Sequence, residues 1–428
     1  MNVFILRLRS LFFAIFHEDG WHSLKKSDVL VVRHDADCGY IYNGVPYSPI
    51  IDTILEGCLY KNLRVQTVAK PFSRLVGDQA FSSPVAFNRI FFVIAVLVRV
   101  LSIFIGRSNG RRWGTSRKAA VWLRILKRVQ PKVVIGIQPD LSLCRSCRAL
   151  NIPVYDIQHG AIGKSDQWYG ELLPKEAAES DLPSGFLCWD NQSARVLREW
   201  APLRGVTVDI VGNPWFQRFQ YPSEKDVLVA EAMKDGHIFS DEKPVILISL
   251  QWGLHIHYYP EKDFNKVMCN ALASVVKRTH ERYNWLLRLH PIQLTGDEGR
   301  YCEEYLSREF GGISGVEWRK ASLIPLPLLL SQADLHITDM SAVVIEASWF
   351  GLPSALLNPY LNAGESLEGL YEFERESGIA TVIEQSVNSI ESWIEEKSAS
   401  VRGGALVDIS TGGIHAVLEK ALTRTNVG

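Results

Sequence analysis

The stretch Ala333 to Pro359, ADLHITDMSAVVIEASWFGLPSALLNP, holds a serine and a glutamate at a spacing that suits nucleotide chemistry. It predicts a strand over Ala333–Thr338, a turn, a helix over Ala342–Phe350 with Ser341 as its cap, a stop at Gly351 and a second strand from Ser354. The Ser341 N–H and hydroxyl would face an anion, with phosphate the common guest. Glu346, roughly one and a half turns further on, could accept hydrogen bonds from ribose hydroxyls. The same residues also describe an ordinary capped helix. Two more polar clusters end apolar runs, Ser249–Gly253 and Arg288–Pro291. Parallel strands would bring all three clusters to one sheet edge. The expected donor-side set is therefore Ser249, Gln251, Gly253, Arg288, His290, Ser341 and Glu346. His290 and Ser341 would meet a phosphate, with Arg288 as helper, and Pro291 restricts the backbone of His290.

Earlier in the chain, Asp35, Asp37, Asp140 and His159 end apolar runs, and Asp156 lies just before one such end. Gly160 and Gly163 leave room for a ligand to approach the backbone. His159 is the natural general base, since imidazole titrates near neutrality. Asp140 or Asp35 could serve as a base or as a nucleophile, although aspartate at a strand end also commonly caps the next helix. Asp35-Ala36-Asp37 has the DxD form that holds divalent metal in some transferases. It falls in the half expected to take the acceptor, and no metal site is expected. No GxGxxG, GxxxxGK[ST], HExxH or GxSxG is present, which argues against the chemistries those motifs carry.

These residues need strands that stop at a common edge. Buried runs at Asp28–Arg33, Leu63–Val68, Lys132–Ile137, Pro153–Ile157, Phe186–Trp189 and Thr207–Val211 alternate with helical stretches. The rhythm restarts at Pro244–Leu250 and Trp285–Leu289. The expected fold class is α/β: two Rossmann-like, doubly wound parallel-sheet domains facing a cleft. The expected divisions are an acceptor-side domain 1–212, bounded by the breaker Gly212-Asn213-Pro214 after its last strand run, a linker 213–243, a donor-binding domain 244–385 and C-terminal helices 386–428. A length of 428 residues fits more than one domain, and a net charge of −1 offers no global field for nucleic acid. Seven cysteines without paired zinc-type spacing suggest reduced thiols of a cytoplasmic protein, and Cys144 and Cys147 stand as a lone CxxC. Met1–Phe16 and Phe87–Ile105 are apolar, and the second carries Arg89 and Arg99 and is followed by a basic run. Arginine near the centre disfavours a membrane span by roughly 2–3 kcal/mol. Phe87–Ile105 is therefore either a core helix or an interfacial helix peripheral on an anionic inner membrane.

The order of four motifs resembles the GT-B fold glycosyltransferases of bacterial surface polysaccharides. They are QHG at Gln158–Gly160, GNP at Gly212–Pro214, RLHP at Arg288–Pro291 and TDMSAVVIEASWFGLP at Thr338–Pro353. The groups it is similar to use cytidine-nucleotide donors: CMP-Kdo transferases, bacterial sialyltransferases and CDP-glycerol glycerophosphotransferases. The resemblance implies that His290-Pro291 and Ser341 bind a CMP phosphate and that His159 lies on the acceptor side. Gln158 replaces the tryptophan of a WHG motif, and Ala342 replaces the second serine of a TDYSS motif. The implied reaction transfers Kdo or another CMP-linked acid sugar to a growing lipopolysaccharide or capsule glycan, or to a lipid-linked one. The nucleotide sugar would be a co-substrate, with no further cofactor. The alternatives are a UDP-sugar transferase or 2-epimerase on the same fold, a CDP-glycerol-type enzyme, and a non-catalytic subunit of a polysaccharide assembly complex.

Overall fold

The computed structural model describes residues 18–400, apart from 165, 235, 258–266 and 295, and residues 413–424. The apolar run Met1–Phe16 lies outside the described residues, as does the start of a helix expected over Asp263–Tyr283. The chain divides into two compact units, one of residues 18–218 with 413–424 and one of residues 219–400.

The first unit is built on six parallel strands: β1 (Val29–Arg33), β4 (Val65–Ala69), β5 (Val133–Gly136), β6 (Val154–Ile157), β7 (Gly185–Cys188) and β8 (Thr207–Ile210). Their order is β4-β1-β5-β6-β7-β8. Between β1 and β4 a small antiparallel hairpin pairs β2 (Tyr40–Tyr42) with β3 (Val45–Tyr47). β1 and β5 are buried along their whole length, which is why both read as unbroken apolar runs. The helix Arg107–Val129 covers the sheet with Trp122, Ile125, Leu126 and Val129, a helical stripe fully shielded from solvent.

The second unit repeats the plan with β9 (Val245–Ser249), β10 (Asn284–Arg288), β11 (Val316–Glu317), β12 (Leu335–Thr338), β13 (Ser354–Leu356) and β14 (Ala380–Val382). All pair in parallel in the order β11-β10-β9-β12-β13-β14. Numbered within the unit, this is the Rossmann order 3-2-1-4-5-6, whose switch point falls between β9 and β12. In the first unit the order reverses between β1 and β5.

Two expected boundaries change. The segment 213–243 is not an open linker: it holds helices Pro214–Gln220 and Val227–Lys234. Trp215 stacks obliquely on Tyr40 and Tyr47 (centroids 5.5 and 5.7 Å), and Arg218 reaches the Tyr47 hydroxyl and Glu56, so the first unit runs on to Arg218. The C-terminal helices separate. Val387–Ser400 buries Ile390, Trp393 and Ile394 in the core of the second unit. Gly413–Arg424 returns to the first unit, where His415 lies against Gly57 and Glu419 pairs with Lys61 at 2.6 Å.

Candidate active site

In the second unit, β9, β10 and β12 end in register, Ser249 beside both Arg288 and Thr338. The polar residues that follow are stitched together. The His290 N–H donates to Gln293 Oε1 (2.9 Å), Gln293 Nε2 donates to the Gln251 carbonyl (3.2 Å), and Gln251 Oε1 accepts from the Met340 N–H (2.7 Å). The Met340 carbonyl accepts from the Tyr371 hydroxyl at 2.6 Å, and Asn358 Nδ2 approaches the Met340 sulfur. The turn carrying Ser341 is thus fixed through both the N–H and the carbonyl of Met340, at the switch point of the sheet. Gly253, at φ +83°, supplies the left-handed turn leading away from Gln251.

His290 is exposed. Its Nδ1 accepts from the Ile292 N–H at 3.2 Å, so the neutral ring carries its proton on Nε2 and can donate there. Partial desolvation by the surrounding loops lowers its pKa. Ser341 is half-buried, its N–H held by Thr338 Oγ1 at 3.3 Å. The following helix starts at Val343, with Ala342 rather than Ser341 in the capping position; Ser341 Oγ reaches the Val343 N–H only at 3.4 Å. Its hydroxyl is therefore weakly engaged within the chain.

Three members of the expected donor set do other work. Ser249 is buried and its hydroxyl points into the sheet, 3.0 Å from His336 Nε2, while His336 Nδ1 meets Ser354 Oγ at 2.9 Å. Ser249 is therefore a structural bridge between strands and not a ligand contact. Arg288 Nη1 donates to the carbonyls of Ala321 and Ile324, both at 2.7 Å, securing the end of a short helix. Burial pushes its pKa down to about 10 against the attraction of Glu346. Glu346 is buried beside that guanidinium, deeper than a helix-surface residue.

The carboxyl edge of the first sheet gathers a second cluster. His34 follows β1, Lys70 follows β4, Gln138-Pro139-Asp140 follow β5, and Gln158-His159 follow β6. The His34 and His159 rings stack with centroids 6.4 Å apart. Burial and the Lys70 charge lower both histidine pKa values, that of His34 to about 4. His159 Nδ1 is buried without a hydrogen-bond partner, and the lowered pKa keeps the ring neutral near pH 7. Lys70 is half-buried; burial lowers its pKa, opposed by Asp156 and Asp140. Asp156 is buried. Its Oδ1 accepts from the Gln138 N–H (2.8 Å) and the Tyr169 hydroxyl (3.3 Å), while Oδ2 has no partner. Burial pushes its pKa up to about 7. Gln138 sits at φ +45° directly before a proline, a conformation that proline disfavours in its predecessor, and the Asp156 bond helps hold it there.

The expected aspartates divide differently. Both oxygens of Asp35 are used, by the Ser73 hydroxyl and the Arg74 N–H (2.8 Å), so Asp35 ties two loops together and is not placed to act as base or nucleophile. Asp140 caps the helix Leu141–Ala149 through Oδ1, which takes both the N–H and the hydroxyl of Ser142. Asp37 accepts from Ser48 Oγ and the Ile50 N–H and shares no partner with Asp35. Among the described residues no three His, Cys, Asp or Glu side chains are grouped so that they could hold a metal ion. Sequence reasoning missed Lys70, His34, Gln293 and Tyr371. Lys70 and His34 carried a signal, a polar residue immediately after an apolar strand; Tyr371 lies in no such pattern.

No protein-family model matches the chain, and no curated protein matches it. Solved structures do. UDP-GlcNAc 2-epimerase from Methanocaldococcus jannaschii aligns with TM-score 0.55 at 14% identity, over 94% of this chain and 99% of that one. UDP-GlcNAc 2-epimerase from Neisseria meningitidis, bound to UDP-GlcNAc, aligns with TM-score 0.52 at 14% identity, over 93% and 99%. The wall teichoic acid polymerase TagF, soaked with CDPG, aligns with TM-score 0.52 at 13% identity, over 99% and 96%. The chain thus has the GT-B type of fold, with two Rossmann-like parallel-sheet units.

Proposed function

We propose that this chain is a nucleotide-sugar enzyme of the GT-B type that moves a group from a pyrimidine-nucleotide donor in glycan assembly. The observation that carries the reading is the stitched edge of the second unit. His290 Nε2–H and the Ser341 hydroxyl stand on loops joined through Gln293 and Gln251 at the sheet's switch point, where a departing phosphate would find donors. In the first unit His159 serves as the base that takes the proton of the attacking hydroxyl, kept neutral by burial and by Lys70. The negative charges of Asp156 and Asp140 favour the protonated form of Lys70 against the effect of its burial.

The likeness to UDP-GlcNAc 2-epimerases and to TagF supports UDP- or CDP-linked substrates over the narrower CMP-Kdo reading, which rests on His290-Pro291 and Ser341 alone. The second reading is therefore a UDP-sugar 2-epimerase. Incubation with UDP-GlcNAc and no acceptor separates the two. An epimerase yields a second UDP-sugar signal in proton NMR, whereas a transferase leaves the sugar configuration unchanged. The wider reading is tested by melting the protein with CMP, CDP and UDP. At least one should raise Tm, and no response to any of them would leave a non-catalytic assembly subunit.

A further inference from the structure

We propose that the helical hairpin 88–129 is a membrane-docking wedge that inserts its apolar tip among the headgroups of an anionic bilayer without crossing it. The base of the hairpin is locked into the first unit. Asn88 Oδ1 accepts from the Phe72 N–H (2.7 Å), its Nδ2 donates to the Ser73 carbonyl (2.8 Å), and Phe91 is buried against Trp122 with ring centroids 5.6 Å apart. Past Ile94 the helix Asn88–Ile105 changes character. Leu97 and Val100 are exposed, and at the tip Ile103 and Phe104 are 80% and 78% exposed. Gly106, at φ +84°, turns the chain into the helix Arg107–Val129. Gly110 and Gly114 let the two helices close: a Cβ at Gly110 would meet the Ser102 backbone and side chain, and one at Gly114 would meet Val98.

The helix is apolar and long enough to cross a bilayer by composition, with mean hydropathy 2.2 over 18 residues. Its packed base forbids that while the unit stays folded. What projects is the distal half, about 15 Å at 1.5 Å per residue, and interfacial helices bury their apolar faces about 5–10 Å deep. The charge pattern selects the surface. The chain as a whole carries a net charge of −1, yet residues 88–129 contain Arg and Lys and not one Asp or Glu. Arg107, Arg111, Arg112 and Arg117 are exposed on the returning helix next to the tip. Asn109, Arg112, Ser116 and Arg117 line a shallow depression there, with the Arg117 guanidinium 5.3 Å from the Trp113 ring centre. Apolar residues at an end, flanked by cations and an indole, match the layers of an anionic interface. The wedge stands independently of the reaction proposed above.

The test is co-sedimentation of the full chain with phosphatidylcholine vesicles containing or lacking phosphatidylglycerol, with no nucleotide present. Binding to the anionic vesicles alone is expected, falling at least tenfold in Ile103→Glu/Phe104→Glu and in Arg111→Glu/Arg112→Glu. Leu203→Glu, at another highly exposed apolar position, should bind as the parent does. Unchanged melting temperatures show that the variants fold. Equal binding to both vesicle types, or no loss in the tip variant, overturns the proposal. So does concentration-dependent self-association without vesicle binding, abolished by the tip variant, because the face would then belong to a second copy of this chain.

Discussion

Replacing His336 by glutamine should flatten the acid sensitivity of the second unit by about 2 kcal/mol. His336 is fully buried on β12, its two nitrogens bonded to hydroxyls of Ser249 on β9 and Ser354 on β13. Burial pushes its pKa down to about 3. The unfolded imidazole titrates near 6.5, so the folded state binds fewer protons across that interval. Stability from this group is complete above pH 6.5 and is lost as pH falls towards 3. At pH 5 the unfolded chain gains RT ln(1 + 10^1.5), about 2 kcal/mol, from protonating the histidine, and at pH 7.5 the gain is close to zero. Glutamine keeps a donor and an acceptor for the two hydroxyls but does not titrate. Asp37 and Asp156, raised to about 7, act with the opposite sign, since each folded carboxyl holds a proton that the unfolded one has lost. The informative quantity is therefore a double difference: urea unfolding of parent and His336→Gln at pH 7.5 and pH 5. The variant should be less stable at pH 7.5 and recover about 2 kcal/mol relative to the parent at pH 5. Parallel pH dependences would refute the reasoning.

Gln251→Ala should weaken nucleotide affinity five- to tenfold by calorimetry, because it frees the Met340 N–H, a loss of about 1 kcal/mol. Lys70→Met removes a charge that lowers the His159 pKa, so the acid limb of the kcat/KM profile should move to higher pH. Arg33→Met should cost about 3–5 kcal/mol in urea unfolding. It leaves Asp52, now 3.0 Å from the guanidinium, buried without its partner, and frees the carbonyls of Phe81 and Pro46.

Much of the framework was legible because parallel strands buried on both faces read as continuous apolar runs. Val29–Arg33, Val133–Gly136 and Leu335–Thr338 all fall within one or two residues of their expected bounds. The short strand Ala380–Val382 escaped notice because three residues give no period. The stretch 213–243 looked like a linker because its charged residues outnumber its visible stripe, although Trp215 and Phe216 are buried. At the site, sequence could place Ser341 and His290 at strand ends but not the direction of a side chain. Ser249 faces inward to His336, and Asp35 is consumed by Ser73 and Arg74. Gln293 and Tyr371 act through bonds to distant backbone atoms, which no local pattern records.

The most direct test is calorimetric titration of CMP, CDP and UDP into the parent and into His290→Ala/Ser341→Ala. The account predicts that the parent binds at least one of the three and that the double variant loses at least tenfold in affinity while its melting temperature without nucleotide is unchanged. Equal affinity in the parent and the variant would contradict it.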